Sequence, residues 1–271
     1  IAVSAPTAAA PLGVFDSGIG GLTVARALFE RLPKESVIYF GDTARVPYGP
    51  KSPETVRRYS AEILAYLLKR GVKAVVVACN TSTAHALGHL QEHSPVPVVG
   101  VIEPGARAAV AATKTGTIGV IGTAGTIASG AYERAIKQLR PDARVHAQAC
   151  PLFVPLVEEG WFDHPATELI AREYLEPLKK AAVDVLVLGC THYPLLKPLL
   201  ARVMGQGVTL VDSAEETAKA VAAELETRHL LSSGGSHDHL FVVSDDEPHF
   251  RKVGARFLGG RLKKVEVVPL G

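Results

Sequence analysis

Val75–Ala84 reads VVVACNTSTA, and Val185–Leu195 reads VLVLGCTHYPL. In each, an unbroken apolar run ends in a cysteine followed by Thr or Asn-Thr. A segment able to form a helix comes next. A continuous Val/Leu run of this length predicts a parallel strand buried on both faces. Its polar ending then falls at the carboxyl edge of a sheet, where open α/β sheets place their ligands. Two such endings, each with a thiol, predict one site with a sulfur on either side.

The rest of the chain alternates strand and helix, which predicts an α/β fold with mostly parallel sheets. Strands are expected at 12–15, 36–40, 74–78, 96–101, 116–121, 144–149, 185–188, 208–211, 240–243 and 264–268. Ser52 followed by Pro53 predicts a helix start, and Gly71 suits that helix's C-terminal cap. One helix is expected from the turn Gly122–Thr126 to about Leu139. Helices are also expected at 152–159, 165–182 and 214–230, and 231–238 reads as an exposed loop. Gly13 and Cys79 lie 66 positions apart, and Gly119 and Cys190 lie 71 apart. Each half thus runs from a strand and a Gly/Ser/Thr turn to a Cys-Thr strand end. Two related units facing each other across a cleft are expected.

Composition narrows the function classes. The chain has 271 residues, with 29 Lys and Arg against 27 Asp and Glu, for a net charge of +2. That balance gives no reason to expect nucleic acid or an anionic membrane as partner. No apolar run approaches the length of a membrane span. Residues 1–11 read as a loose extension with no basic start, not as a signal peptide. Three cysteines, an odd and low count, argue against a disulfide framework and for a reducing cytoplasm.

A thiol titrates near ~8.5 when unperturbed, and lower at a helix N-terminus or beside a cation. Cys79 and Cys190 are both expected where a helix begins. Two such groups on opposite faces of one carbon can take a proton from one side and return one on the other, inverting a stereocentre. Cys150 has no such twin and reads as an inert buried residue. Asp16, ending the first strand, is placed near Cys79, and His192 is two residues beyond Cys190. Each can relay a proton to its thiol, although Asp16 equally suits a helix cap. Ser17, with the amides of Gly18–Gly21, forms an anion-binding helix start. Asn80, Thr81, Thr123, Thr126 and Thr191 add donors at the same edge, although any one of them alone suits a cap.

Other chemistries fit less well. The Gly-rich turn lacks the ending of a Walker loop and the spacing of a dinucleotide fingerprint. His85, His89 and His93 repeat on one helix face, and His237-Asp238-His239 falls in a loop. Neither has a zinc-ligand spacing, so no metal is expected.

With those residues in view, the chain resembles the cofactor-independent aspartate/glutamate racemase superfamily, and within it the glutamate racemases. The matching segments are GVFDSGIGGLTV (13–24), YFGDTARVPYG (39–49), VVACNTSTA (76–84), VVGVIEPG (98–105), IGTAGTIASGAY (121–132), CPLFVPLVEEG (150–160), LGCTHYPLL (188–196) and VDSAE (211–215). The resemblance implies interconversion of L- and D-glutamate without a cofactor, supplying D-glutamate for peptidoglycan. It implies that Cys79 acts on D-glutamate with support from Asp16. Cys190 acts on L-glutamate with support from His192, and Glu158 takes a further acidic position near the second thiol. Asp16, Ser17, Tyr48, Gly49, Asn80, Thr81, Thr123, Thr191 and His192 would hold the substrate. The resemblance further implies two domains, a discontinuous first one of residues 1–103 with 213–271 and a second of residues 104–212, and a homodimer is expected. Aspartate racemase, or another two-thiol isomerase, is the alternative enzyme. An amino-acid-binding module with idle thiols is the alternative outside catalysis.

Overall fold

The computed structural model describes residues 6–234 and 238–270. Strands and helices alternate from the start: β1 (Leu12–Asp16), α1 (Leu22–Arg31), β2 (Val37–Gly41), α2 (Pro53–Lys69), β3 (Ala74–Val77), α3 (Asn80–His93) and β4 (Val98–Gly100). The middle of the chain follows with α4 (Ile102–Ala112), β5 (Thr117–Gly122), α5 (Ala124–Ala128), α6 (Ala131–Leu139), β6 (Arg144–Ala149), α7 (Phe153–Glu158), α8 (Pro165–Lys180) and β7 (Val185–Gly189). Then come α9 (Lys197–Met204), β8 (Thr209–Val211), α10 (Ala214–Thr227), β9 (Leu240–Val243), α11 (Glu247–Leu258) and β10 (Val265–Val267).

The strands form two parallel sheets, ordered β10-β9-β2-β1-β3-β4 and β6-β5-β7-β8. The order β2-β1-β3-β4 in the first repeats as β6-β5-β7-β8 in the second. The strands that deliver the two cysteines, β3 and β7, therefore occupy equivalent places, and the expected pseudo-symmetry holds at the level of topology. β9 and β10 extend the first sheet only.

The apolar runs are continuous because both faces of each sheet are covered. Along β3, Ala74 and Val76 pack into one core layer while Val75 and Val77 pack into the other. Along β7, Leu186 and Leu188 face one layer while Val185 and Val187 face the opposite one. Each of these positions removes an apolar side chain from water, worth about 1.5–3 kcal/mol for a Val or Leu. The edge strand β6 is mostly exposed or half-buried, in keeping with its Arg144, His146 and Gln148.

Local signals were accurate at several ends. Ser52 caps α2, its Oγ accepting from Thr55 N at 3.2 Å. Gly71 follows α2 at φ +73, a left-handed conformation that costs glycine little. Other expectations need correction. The helix expected through 139 breaks in two, because Gly130 adopts φ +64 between α5 and α6. α4 is not among the expected elements, although Ile102, Ala106 and Ala109 are buried at helical spacing. Its Pro104 sits in the first turn, where a missing N–H costs nothing.

The segment before β1 is tied down over its described part. Lys73 is fully buried and pairs with Glu35 at 2.5 Å. Its Nζ also donates to the carbonyls of Ala8 at 2.6 Å and Leu230 at 2.8 Å. Residues 8–11 are therefore not loose. His237, read as part of an exposed loop, lies outside the described residues.

Sheet membership supports the expected discontinuous division, which we carry as a proposal: 1–103 with 213–271, and 104–212. α4 packs on α6, β7 and β8, while α10 returns to pack on α1 and β4.

Candidate active site

The two sheets meet at the carboxyl ends of their strands. In the first unit Ala78 N donates to Phe15 O at 2.9 Å, so the ends of β1 and β3 lie side by side. This brings Asp16 and Cys79 together. In the second unit β5 pairs with β7 up to Gly122 and Gly189, which sets Thr123 beside Cys190.

Both thiols line one cavity. It measures about 20 Å³ and is walled by Ser17, Val46–Gly49, Cys79–Thr81, Thr123, Val154 and Cys190–His192. Thr126, an expected donor, is not in its wall, and of the residues implied by the resemblance all line it except Asp16 and Glu158. Those two stand behind the wall. Thr191 Oγ1 donates to Asp16 Oδ1 at 3.2 Å, and His192 Nε2 donates to Glu158 Oε1 at 2.6 Å. Cys150 is buried elsewhere in the second unit's core, where its sulfhydryl donates to the carbonyl of Gln148 at 3.7 Å.

The cleft is bridged by direct hydrogen bonds. The hydroxyls of Thr81 and Thr123 share one at 2.9 Å, and Thr81 reaches Thr126 at 3.2 Å. Tyr132 Oη donates to Asn80 Oδ1 at 2.6 Å. Gly125 N donates to Gly49 O at 3.0 Å, and His85 Nε2 donates to Gly125 O at 3.0 Å. Asn80, Thr81 and Thr123 are therefore held in place from the opposite unit. Glycine at position 20 is required by close approach: a Cβ there would stand 2.4 Å from Thr191 Oγ1 and 2.7 Å from His192 Nδ1.

The loop carrying Tyr48 is anchored through Asp42, which is fully buried. Asp42 accepts from Tyr48 Oη, from Arg45 Nε at 2.7 Å and from Ser244 Oγ at 2.8 Å. The Arg45 guanidinium also lies 3.9 Å over the Tyr59 ring. Beside this loop lies a separate outer recess of about 340 Å³, lined largely by Val46, Val154 and the prolines 47, 50, 151 and 155. A larger groove of about 960 Å³ beside β4 and α10 contains none of these polar groups.

The two thiols sit in different electrostatic settings. Cys79 is the N-cap of α3, its Sγ accepting from Ser82 N at 3.4 Å. Burial, and then the charge of Asp16, push its thiol up to about 11, against the pull of the Ser82 amide and Ser17. Burial also raises the Asp16 carboxyl, while His192 and the bonds from Gly21, Gly18 and Thr191 work against it. Cys190 does not begin a helix as expected. A 3-10 turn over Tyr193–Leu196 follows it, with His192 at the position before the turn and its side chain making no capping bond. His192 Nδ1 instead lies 3.8 Å from Cys190 Sγ. Burial alone would favour neutral His192. Its bonds to Cys190 and Glu158 outweigh that and hold it protonated well above the usual histidine range. Glu158, despite burial, is held below the usual glutamate range by His192 and His249. The site thus offers a proton-bearing thiol beside Asp16 on one wall, and a sulfur beside a protonated imidazole on the other.

Sequence reading missed several residues that shape this arrangement. Val46, Pro47 and Val154 are apolar walls with no chemical signature. Tyr132 and His249 lie far along the chain from the groups they bind. The histidines of α3 do not converge: His85 turns to the cleft, while His93 Nδ1 donates to His89 O at 2.8 Å.

Comparison with known proteins agrees with this geometry. The family model for Asp/Glu/Hydantoin racemase matches residues 18–221. The chain belongs to that family. It is 58% identical over 260 residues to the glutamate racemase of Geobacter metallireducens, covering 96% of each chain. The solved structure of a glutamate racemase isoform from Bacillus anthracis superposes with a TM-score of 0.93 at 43% identity, covering 96% of this chain and 98% of that one. The glutamate racemase of Francisella tularensis, solved in complex with D-glutamate, gives 0.91 at 38% identity with the same coverages. An aspartate racemase from Picrophilus torridus, at 17% identity and a TM-score of 0.53, shares the fold alone.

Proposed function

We propose that this chain is an isomerase that interconverts L- and D-glutamate by a two-base mechanism. The supporting observation is the single cavity lined by Cys79 from one unit and Cys190 from the other. In the L-to-D direction the thiolate of Cys190 takes the α-proton, and in a second step the thiol of Cys79 gives its proton to the opposite face. One C–H bond breaks and another forms, and the sulfurs exchange protonation states. The reverse reaction exchanges their roles. His192 and Glu158 serve the Cys190 side, and Asp16 serves the Cys79 side.

An amino-acid α-proton is weakly acidic, so the charge that develops toward the α-carboxylate needs fixed donors. Ser17, Asn80, Thr81, Thr123 and Thr191 supply hydroxyl and amide groups around the cavity, and Tyr48 and Gly49 complete its wall. No step calls on a cofactor. A cavity of about 20 Å³ holds little more than a water, so the units part to admit glutamate and close on it. Closure excludes water and strengthens each polar contact with the substrate.

Peptidoglycan synthesis is the use implied for the D-glutamate. No described helix is long and apolar enough to cross a membrane, and the three cysteines are free, which supports a cytoplasmic setting. A homodimer is carried as a further proposal, to be tested by light scattering. The activity itself is tested by circular dichroism. L-glutamate incubated with the protein should lose its signal completely, and D-glutamate should reach the same endpoint. Loss of signal from L-aspartate with none from glutamate would overturn the substrate assignment.

A further inference from the structure

His249 belongs to the first unit, on α11, which packs against α1 and β10. Its backbone N donates to Oδ1 of the N-cap Asp246 at 3.2 Å. Its side chain crosses the cleft: Nε2 donates to Oε2 of Glu158 at 3.0 Å. The other oxygen of that carboxylate accepts from His192 at 2.6 Å, and His192 approaches Cys190. The series runs inward from water. The side chain of His249 is 39% exposed, that of Glu158 20% and that of His192 3%.

Glu158 is the last residue of the six-residue helix α7. Such a carboxylate swings freely unless both oxygens are held. Here each oxygen has its own imidazole, one from each unit. We propose that His249 is a positioning residue for proton transfer at Cys190. Reaching across the closed cleft, it fixes the plane of Glu158, keeps Oε1 on His192 and so keeps His192 Nδ1 aimed at the sulfur. When the units part, that restraint is released. The proposal rests on the two-thiol reading above and adds to it a link between closure and one of the two thiols.

The test compares His249→Ala and His249→Gln with wild type. The two enantiomers have equal free energy, so kcat/KM must fall alike in both directions, by about tenfold for His249→Ala. Rates alone therefore cannot say which thiol is affected, but primary isotope effects can. In His249→Ala the deuterium effect on kcat/KM should rise with α-deuterated L-glutamate, whose label passes to Cys190. It should fall toward one with α-deuterated D-glutamate. His249→Gln, whose amide still donates to Glu158, should recover most of the wild-type behaviour. The mirror-image result would keep His249's role and reverse the assignment of thiols to enantiomers. Unchanged kcat/KM, or isotope effects that move together, would overturn the proposal. A second readout needs no substrate. The low-field Nε2 proton of His192 should shift in His249→Ala and return in His249→Gln. A signal unmoved in both variants would overturn the proposal whatever the activity.

Discussion

The two units share strand order and the Cys-Thr ending of their third strand, yet they treat the thiol differently. After β3 the chain turns at once into the fourteen-residue helix α3, with Cys79 as its cap. After β7 it enters a short 3-10 turn, with prolines at 194 and 198, and the helix begins only at Lys197. Cys79 therefore faces an amide at a helix start and a neighbouring carboxylate. Cys190 faces a protonated imidazole backed by Glu158. Pseudo-symmetry places two sulfurs on opposite walls, and local sequence gives each wall its own means of managing a proton. A reaction that is symmetric in free energy does not require symmetric groups.

The largest expected effect comes from removing either sulfur. Cys79→Ser and Cys190→Ser should each lower racemisation by about 10²–10⁴-fold, equally in both directions, measured by circular dichroism. The comparison sharpens when stability is measured alongside. Serine is a preferred N-cap, so Cys79→Ser should keep or raise the melting temperature while losing activity. Cys190 caps nothing, and its serine variant gains no such compensation. Retention of full turnover by either variant would break the account of two working walls.

Closure is the next difference to probe. Gly20→Ala sets a methyl against Thr191 and His192 across the cleft. The units should then stop short of full contact, lowering kcat/KM by about a hundredfold with little change in unfolding. Normal activity in this variant would mean that the bridged arrangement is not the one that works.

Much of this arrangement is legible in the sequence, and the reasons are physical. Strands buried on both faces must be apolar at every position, so β3 and β7 stand out, and the polar residues that end them mark the site. Ser52-Pro53 and Gly71 are local signals with local causes. α4 is harder to read because IEPGARAAVAA mixes helix formers with Pro and Gly, and its burial at 102, 106 and 109 depends on a second sheet distant in the chain. The break at Gly130 depends on one dihedral angle. The expectation that Cys190 starts a helix overlooks the two prolines that follow it. Tyr132 and His249 act over separations of 52 and 91 residues, which no local pattern reveals.

The smallest predicted effect concerns Asp16. Burial raises its carboxyl above the usual aspartate range, so the charged form at neutral pH costs stability. That cost is absent below the unfolded value of 3.8 and appears as pH rises through the folded one. Asp16→Asn removes the charge and keeps one acceptor oxygen: it can take the Gly18 amide, while the Thr191 hydroxyl turns to accept from the new side-chain NH₂. It should raise the melting temperature at pH 7, by about 2–4 °C for each kcal/mol recovered. The gain should shrink below about pH 4. A lower melting temperature at pH 7 would show that the charge stabilises this wall.

The most direct test of the central claim follows the proton itself. L-glutamate turned over in D₂O and sampled at low conversion should give D-glutamate carrying one solvent deuterium at the α-carbon. The remaining L-glutamate should stay unlabelled, because each sulfur handles only its own face. Product that retains the substrate's original proton, or deuterium entering unreacted L-glutamate as fast as product, would mean one group serves both faces and would contradict the two-walled site.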